Sequence, residues 1–186
     1  MPFDASRRVE NNEEAINLSF FIFLICSPTI VERYTRTGTV EVYPAHNVSA
    51  TDAIVTELSN AKSEILVQAY PLSVPIVKAL IDAKKRGIKI EVVLDKSQGR
   101  DKYYPPNFVA NAGIVTFIDD KHAIDPNKII IVDRNILITG SCNFTNGDEL
   151  LIIKGHKPLL DLYIQDFKGH EEHSKRYLRI VQGNNQ

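Results

Sequence analysis

The chain has 186 residues, of which 44% are hydrophobic and 24% charged, and these values are typical of one soluble globular domain with a sizeable core. Its formal net charge of −1 excludes a strongly basic chain, so overall charge does not indicate a nucleic-acid-binding protein. Its two cysteines, Cys26 and Cys142, are too few for a disulfide scaffold in a chain of this length.

The N-terminal segment contains a short apolar run, INLSFFIFLIC, at residues 16–26. The run is too short to span a bilayer, which needs about 20 residues, but it fits the apolar core of a secretory signal. Residues 1–37 are therefore interpreted as a signal or short membrane anchor, and residues 38–186 as the folded domain. This interpretation predicts an exported, periplasmic or membrane-associated protein. The alternative is a cytoplasmic protein whose apolar arm packs on the domain or on a partner subunit.

The first half of the domain alternates between strands and helices. Apolar, β-branched runs predict strands at 39–45, 64–70 and 88–95. The segments between them predict two helices, the first capped by Ser49 and the second opened by Ser73 and Pro75. A strand–helix–strand–helix–strand order predicts parallel pairing through right-handed crossovers.

The second half of the domain is richer in strands. Short apolar runs predict strands at 114–119, 128–133, 136–141 and 149–154. Arg134 and Asn135 form a tight turn between two of these strands, which predicts a hairpin. Helices are predicted at 107–112 and from Pro158 to Tyr177. The predicted fold is a single α/β domain with a mixed, largely parallel sheet flanked by helices.

Polar residues at two strand ends indicate a candidate anion site. Lys128 opens an apolar strand, where an ammonium group is costly unless it meets an anion or water. Ser141 and Asn143 share a face just after the next strand, and Gly140 permits close backbone approach. Lys128, Ser141 and Asn143 together could hold a phosphate. Polar groups at strand ends are also common without any ligand.

The stretch DPNKIIIVDRNILITGSCNFT, residues 125–145, resembles the H-x-K-x4-D…G-S-x-N signature of the phospholipase D superfamily. Lys128 and Asp133 match its first half, and Gly140, Ser141 and Asn143 match its second half. The resemblance extends over roughly residues 39–177. It is strongest to the small bacterial nucleases of the superfamily, which carry one motif per chain, and it implies the phospholipase D/nuclease fold.

The resemblance implies a phosphodiesterase that needs no metal or other cofactor. In the family a motif histidine attacks phosphorus to form a phosphohistidine, and the histidine of a second motif protonates the leaving oxygen. Small members obtain the second motif from a homodimer partner. By position, Lys128 and Asn143 would bind phosphate oxygens and Ser141 would add a supporting hydroxyl. Asp133 would tie the motif strands together, and Glu149 would match the carboxylate that orients the histidine.

The sequence departs from the family pattern in two places. Pro126 occupies the position of the nucleophilic histidine, and proline has neither a nucleophile nor a titratable group. Because the homodimer partner would carry the same proline, attack and proton transfer would both lose their residue, at a cost of several orders of magnitude in rate. The segment before Glu149 is also a shorter turn than is usual in the family, at residues 145–148, and Leu150 replaces an expected asparagine.

No other histidine is expected to substitute for the missing one. His122 is four extended residues from Pro126, roughly 13 Å, which is too far to replace it. His170 and His173 are three residues apart and could hold a metal, but their charged neighbours favour a solvated helix face, so no metal site is predicted.

Three hypotheses follow for the function. The first is a phosphodiesterase most like a metal-independent, non-specific endonuclease, acting on DNA or RNA with phospholipid as the alternative substrate, and impaired or inactive because of Pro126. The second is a catalytically dead homodimer that binds phosphate or nucleic acid. The third is a dimeric structural domain without a ligand.

Overall fold

The computed structural model of the protein describes residues 38–44, 49–69, 72–95, 105–119, 121, 128–140 and 149–178. Its strands are β1 (Thr39–Tyr43), β2 (Glu64–Gln68), β3 (Lys89–Asp95), β4 (Val115–Asp119), β5 (Ile129–Val132), β6 (Ile136–Gly140), β7 (Leu150–Lys154) and β8 (Lys175–Arg176). Its helices are α1 (Ser49–Asn60), α2 (Val74–Lys85), α3 (Pro105–Asn111) and α4 (Lys157–His173). The N-terminal segment, with its predicted signal or anchor, lies outside the described residues.

The strands form one mixed sheet in the order β1–β7–β6–β5–β2–β3–β4–β8, which confirms the predicted α/β class with flanking helices. Within the described residues, parallel pairing is confined to β2–β3 and β3–β4, where α2 and α3 provide the crossovers. The other five pairings are antiparallel, so the expectation of a largely parallel sheet was wrong. The connections from β5 to β6 and from β6 to β7 are shorter than the dozen residues that a parallel crossover needs, which leaves antiparallel pairing.

The first strand is not the neighbour of β2, as the alternation of strands and helices had implied. β1 pairs antiparallel with β7, with Thr39 opposite Lys154, and three strands separate it from β2. The ammonium of Lys154 lies 2.9 Å from the carboxylate of Glu41 and 2.6 Å from that of Glu57. These ion pairs join α1 to β7 and to the outer strand β1.

The sheet is covered on both faces, because its strands alternate two sets of apolar side chains. Ile130 and Val132 point into the core beneath α1, α2 and α3, and Ile129 and Ile131 point into the core beneath α4. The α4 core is closed by Leu160 and Phe167 of the helix. The period of two predicted for β5 is therefore confirmed, and the site must lie at a strand end because both faces are occupied.

The predicted hairpin between β5 and β6 is confirmed. Its turn contains Asp133 and Arg134 with φ of 53° and 50°, and the backbone N–H of Asn135 donates to the carbonyl of Val132 at 3.0 Å. Two consecutive left-handed residues suit the twist of a tight hairpin.

The C-terminal helix is shorter than predicted, because α4 ends at His173 rather than Tyr177. Ser174 adopts an extended conformation, and Lys175 and Arg176 then form β8, which pairs antiparallel with β4. A strand of two charged residues has no apolar periodicity, so the sequence carried no signal for it. None of the helices in the described ranges is both long and apolar enough to cross a membrane.

Candidate phosphate site at one edge of the sheet

The registers of four strands bring the motif segments to one edge of the sheet, meaning here the edge formed by the ends of the strands. Ile129, the first residue of β5, pairs with Gln68 at the end of β2 and with Thr139 near the end of β6. Gly140, which ends β6, pairs with Leu150, which begins β7. The residues that flank these positions in sequence therefore meet at the same edge.

Two predicted site residues with described positions lie at this edge, Lys128 before β5 and Glu149 before β7. Lys128 is half-buried and Glu149 is exposed. Adjacent strands are about 4.8 Å apart and β6 lies between β5 and β7, so the backbones of Lys128 and Glu149 are separated by roughly 10 Å. A lysine at such an edge can bind an anionic group with its ammonium, as phosphate recognition requires.

Gly140 makes the close approach of these segments possible. A Cβ atom at this position would overlap the carbonyl oxygen of Glu149 and would lie 3.1 Å from its carbonyl carbon. Only glycine leaves room for the β7 backbone here. The residue thus allows the entry to β7 to lie close against the end of β6.

Pro126, Ser141 and Asn143 lie outside the described residues, as does His122. Their predicted roles remain predictions from the sequence.

Asp133 lies at the opposite edge of the sheet from Lys128, because the whole of β5 separates them, roughly 16 Å of extended chain. Its carboxylate accepts hydrogen bonds from the backbone N–H groups of Lys62 (2.9 Å), Ser63 (2.7 Å) and Glu64 (3.1 Å). The hydroxyl of Ser63 also donates to it at 2.8 Å. Asp133 therefore fastens the hairpin turn to the start of β2 and does not reach the candidate phosphate site.

The pKa of Asp133 is lowered below its ordinary value. Burial alone would raise it, but the hydrogen bonds from Ser63, Lys62 and Glu64 favour the ionised form and outweigh burial. The ionised carboxylate is thus part of the folded structure.

A second group of polar side chains was misjudged from the sequence. His170 Nδ1 and His173 Nε2 each lie 3.0 Å from the same Oδ2 atom of Asp119. The side chains of His170, His173 and Asp119 are only 14%, 21% and 2% exposed. The interpretation of the two histidines as a solvated helix face was therefore wrong. The missed signal was an aspartate ending an apolar strand, a feature that Asp95 and Asp119 share.

The family model described as "Cardiolipin synthase, PLD-like domain" matches residues 54–170. The chain belongs to this family. The match extends from within α1 to near the end of α4, and it includes the edge that carries Lys128 and Glu149.

Individual relatives agree with this family. A protein named phospholipase D from Rickettsia felis is 35% identical over 124 residues, which cover 63% of this chain and 62% of that protein. The chain therefore spans about three-fifths of the length of the curated relatives it matches.

Solved structures share the fold of this chain. The phospholipase D family member Nuc from Salmonella typhimurium superposes with a TM-score of 0.69 at 28% identity, covering 76% of this chain and 99% of Nuc. TrmBL2, an archaeal chromatin protein described as having a novel mode of DNA binding, superposes with a TM-score of 0.57 at 22% identity. That match covers 80% of this chain and 56% of TrmBL2 and shows the fold alone. The predicted superfamily and fold are thus confirmed.

Proposed function

We propose that this protein is a nuclease-type phosphodiesterase of the phospholipase D superfamily whose hydrolytic step is severely impaired. The observation that carries the proposal is the strand register, which gathers Lys128, Gly140 and Glu149 at one edge in a chain with Pro126 two residues before Lys128. The edge keeps groups that bind a phosphodiester, while the position of the family's nucleophile holds none. Phosphate is common to nucleic acids and phospholipids, and the resemblance to the small bacterial nucleases, together with the short turn at residues 145–148, favours DNA or RNA.

The first prediction is that Pro126→His restores hydrolysis. Wild-type protein should show little activity on DNA, RNA or a phospholipid with EDTA present. The histidine variant should exceed it by at least about 10³-fold on the preferred substrate, because nucleophile and general acid return together. Initial rates on the three substrates measure the gain and identify the preferred phosphodiester.

Three controls separate chemistry from a change in backbone. Pro126→Gln removes the proline without adding a nucleophile, and Lys85→His adds a histidine at an exposed position at the end of α2, away from the site. Neither should gain activity, and Pro126→His combined with Lys128→Ala should lose the gain. Robust wild-type cleavage that survives Lys128→Ala would contradict the proposal.

The second candidate function is binding of nucleic acid without turnover, and the half-buried Lys128 at the site edge favours it. The second prediction is that wild-type protein binds single-stranded DNA with an affinity that falls as salt rises, because phosphate contacts release counterions. Lys128→Ala should weaken binding and reduce the salt slope by about one phosphate contact.

Lys62→Ala is the matched control for this experiment. Lys62 lies at the opposite edge of the sheet beside Asp133, and alanine keeps the backbone N–H that Asp133 accepts. The control should bind like wild type. Equal weakening by both substitutions would mean that binding reflects general charge. If wild-type protein does not bind single-stranded DNA, the proposed nucleic-acid binding is wrong.

A further inference from the structure

We propose that Asp119, His170 and His173 form a binding site for a divalent transition metal, with Zn²⁺ the best match. Each residue offers one ligand atom, and the three atoms lie within 4.8 Å of one another. They come from two elements, because Asp119 ends β4 while both histidines lie in the last turn of α4. The cluster lies at the same end of the sheet as the candidate phosphate site, but three strand spacings, roughly 14 Å, separate β4 from β5.

The distances suit a metal with imidazole and carboxylate ligands. Asp119 Oδ2 lies 3.0 Å from His170 Nδ1 and from His173 Nε2. Zinc holds nitrogen and oxygen ligands at about 2.0–2.1 Å, so two ligands at the tetrahedral angle lie roughly 3.3–3.4 Å apart. A small opening of the cluster would admit the ion.

A backbone hydrogen bond orients the carboxylate of Asp119, and a second carboxylate lies near one imidazole. The backbone N–H of Lys121 donates to Asp119 Oδ1 at 2.9 Å, which directs Oδ2 toward the histidines. The Nε2 atom of His170 faces the carboxylate of Asp166 at 4.0 Å, which leaves Nδ1 directed at Asp119. Ligating histidines commonly turn their second nitrogen toward such a carboxylate.

Charge and access also favour a cation. Asp119 is buried and pairs in register with Asp95 of β3, which is buried as well. Two neighbouring carboxylates with little solvent concentrate negative charge, which a divalent ion would offset. The partial exposure of both histidines leaves a route for the ion and room for a water as a fourth ligand. Imidazole nitrogen selects zinc and related metals over magnesium and calcium.

The consequence of binding would be structural. The ion would join the C-terminal end of α4 to β4, next to the strand β8 that directly follows the helix. Because a metal that binds only the folded chain stabilises it, zinc should raise the midpoint of thermal unfolding.

The test uses the full chain after removal of bound metal. Zinc binding is measured by competition with a chromophoric chelator, ligand geometry by the visible spectrum of the Co²⁺ form, and stability by thermal unfolding with and without Zn²⁺. The variants are Asp119→Asn, His170→Gln and His173→Gln, whose amides keep hydrogen-bonding groups in the cluster. The histidine control is His156→Asn, because asparagine retains the cap that His156 Nδ1 provides by accepting from the N–H of Leu159.

Wild-type protein should bind one zinc ion per chain, and millimolar magnesium should not displace it. Each of the three variants should weaken zinc binding by at least about 100-fold, which exceeds the usual effect of losing a group that only hydrogen-bonds a metal ligand. The affinity of His156→Asn for zinc should stay within about twofold of wild type. Zinc bound no more tightly by wild type than by Asp119→Asn overturns the proposal. An unfolding midpoint of wild-type protein that zinc does not change would also overturn the proposal. The three side chains would then form only a hydrogen-bonded cluster.

Discussion

Asp133 shows how one charged residue can serve the fold without reaching the site. Four donors from residues 62–64 surround its carboxylate, and its left-handed backbone places it at the hairpin turn. The third prediction is that Asp133→Asn lowers the free energy of unfolding at pH 7 by roughly 1–3 kcal/mol, because hydrogen bonds to a charged acceptor are replaced by weaker ones. Asparagine tolerates left-handed φ, so the substitution tests charge rather than strain.

The pH dependence of this effect has a definite sign. A carboxylate whose pKa is lowered by folding contributes stability above the pKa of the unfolded chain, and that stability is lost as pH falls through the folded pKa. The difference between wild type and Asp133→Asn should therefore shrink as pH falls below about 4. Urea unfolding from pH 3 to 7 measures it. Asp161→Asn, at an exposed position in α4, should stay within about 0.5 kcal/mol of wild type throughout. A difference that does not change with pH would contradict the role of the charge.

At the scale of elements, the junction of β6 and β7 depends on the absence of a side chain at Gly140. The fourth prediction is that Gly140→Ala destabilises the protein by roughly 1–3 kcal/mol, because the added methyl group must displace the backbone of Glu149. Chemical denaturation measures the loss. It should also weaken binding of single-stranded DNA if Glu149 and Lys128 share one site.

Gly169 provides the opposite case in the same protein. It lies within α4, where an added Cβ would meet no atom within 4 Å. Gly169→Ala should therefore raise the free energy of unfolding by about 0.5–1 kcal/mol, since alanine has the higher helix propensity. A Gly140→Ala protein that is as stable as wild type would contradict the role of close approach at Gly140.

At the scale of the whole molecule, the fifth prediction is a homodimer. The sequence carries one motif copy at residues 125–145, and the resemblance implies that a second copy comes from a two-fold partner. Sedimentation at micromolar concentrations should find a dimer both for wild type and for Pro126→His. If only monomer is found while Pro126→His is active, one motif suffices and the proposed assembly is wrong.

The predicted export of the protein belongs to the same scale. Residues 1–37 are the basis for the proposal that the chain is exported or membrane-associated. Cell fractionation of the full chain, compared with a variant lacking residues 2–37, tests the proposal. Equal cytoplasmic recovery of both would favour an apolar arm.

Local sequence patterns sufficed wherever the interacting residues are close along the chain. The period of two placed Ile129 and Ile131 opposite Ile130 and Val132, and the two residues after Asp133 indicated the hairpin turn. The motif spacing likewise indicated the superfamily, and the register of the strands then brought Lys128 and Glu149 to one edge. The strand faces and the hairpin depend on backbone geometry over a few residues, which the local sequence determines.

Only the tertiary structure decided which distant elements meet. β1 follows the pattern of a crossover strand yet pairs with β7, and the two residues of β8 form a strand only because β4 offers an open edge. Asp119 is 51 residues from His170 and 54 from His173, so their spacing along the chain gave no sign of contact. Packing α4 across the sheet brings them together, because burial of Leu160 and Phe167 determines where the end of that helix lies.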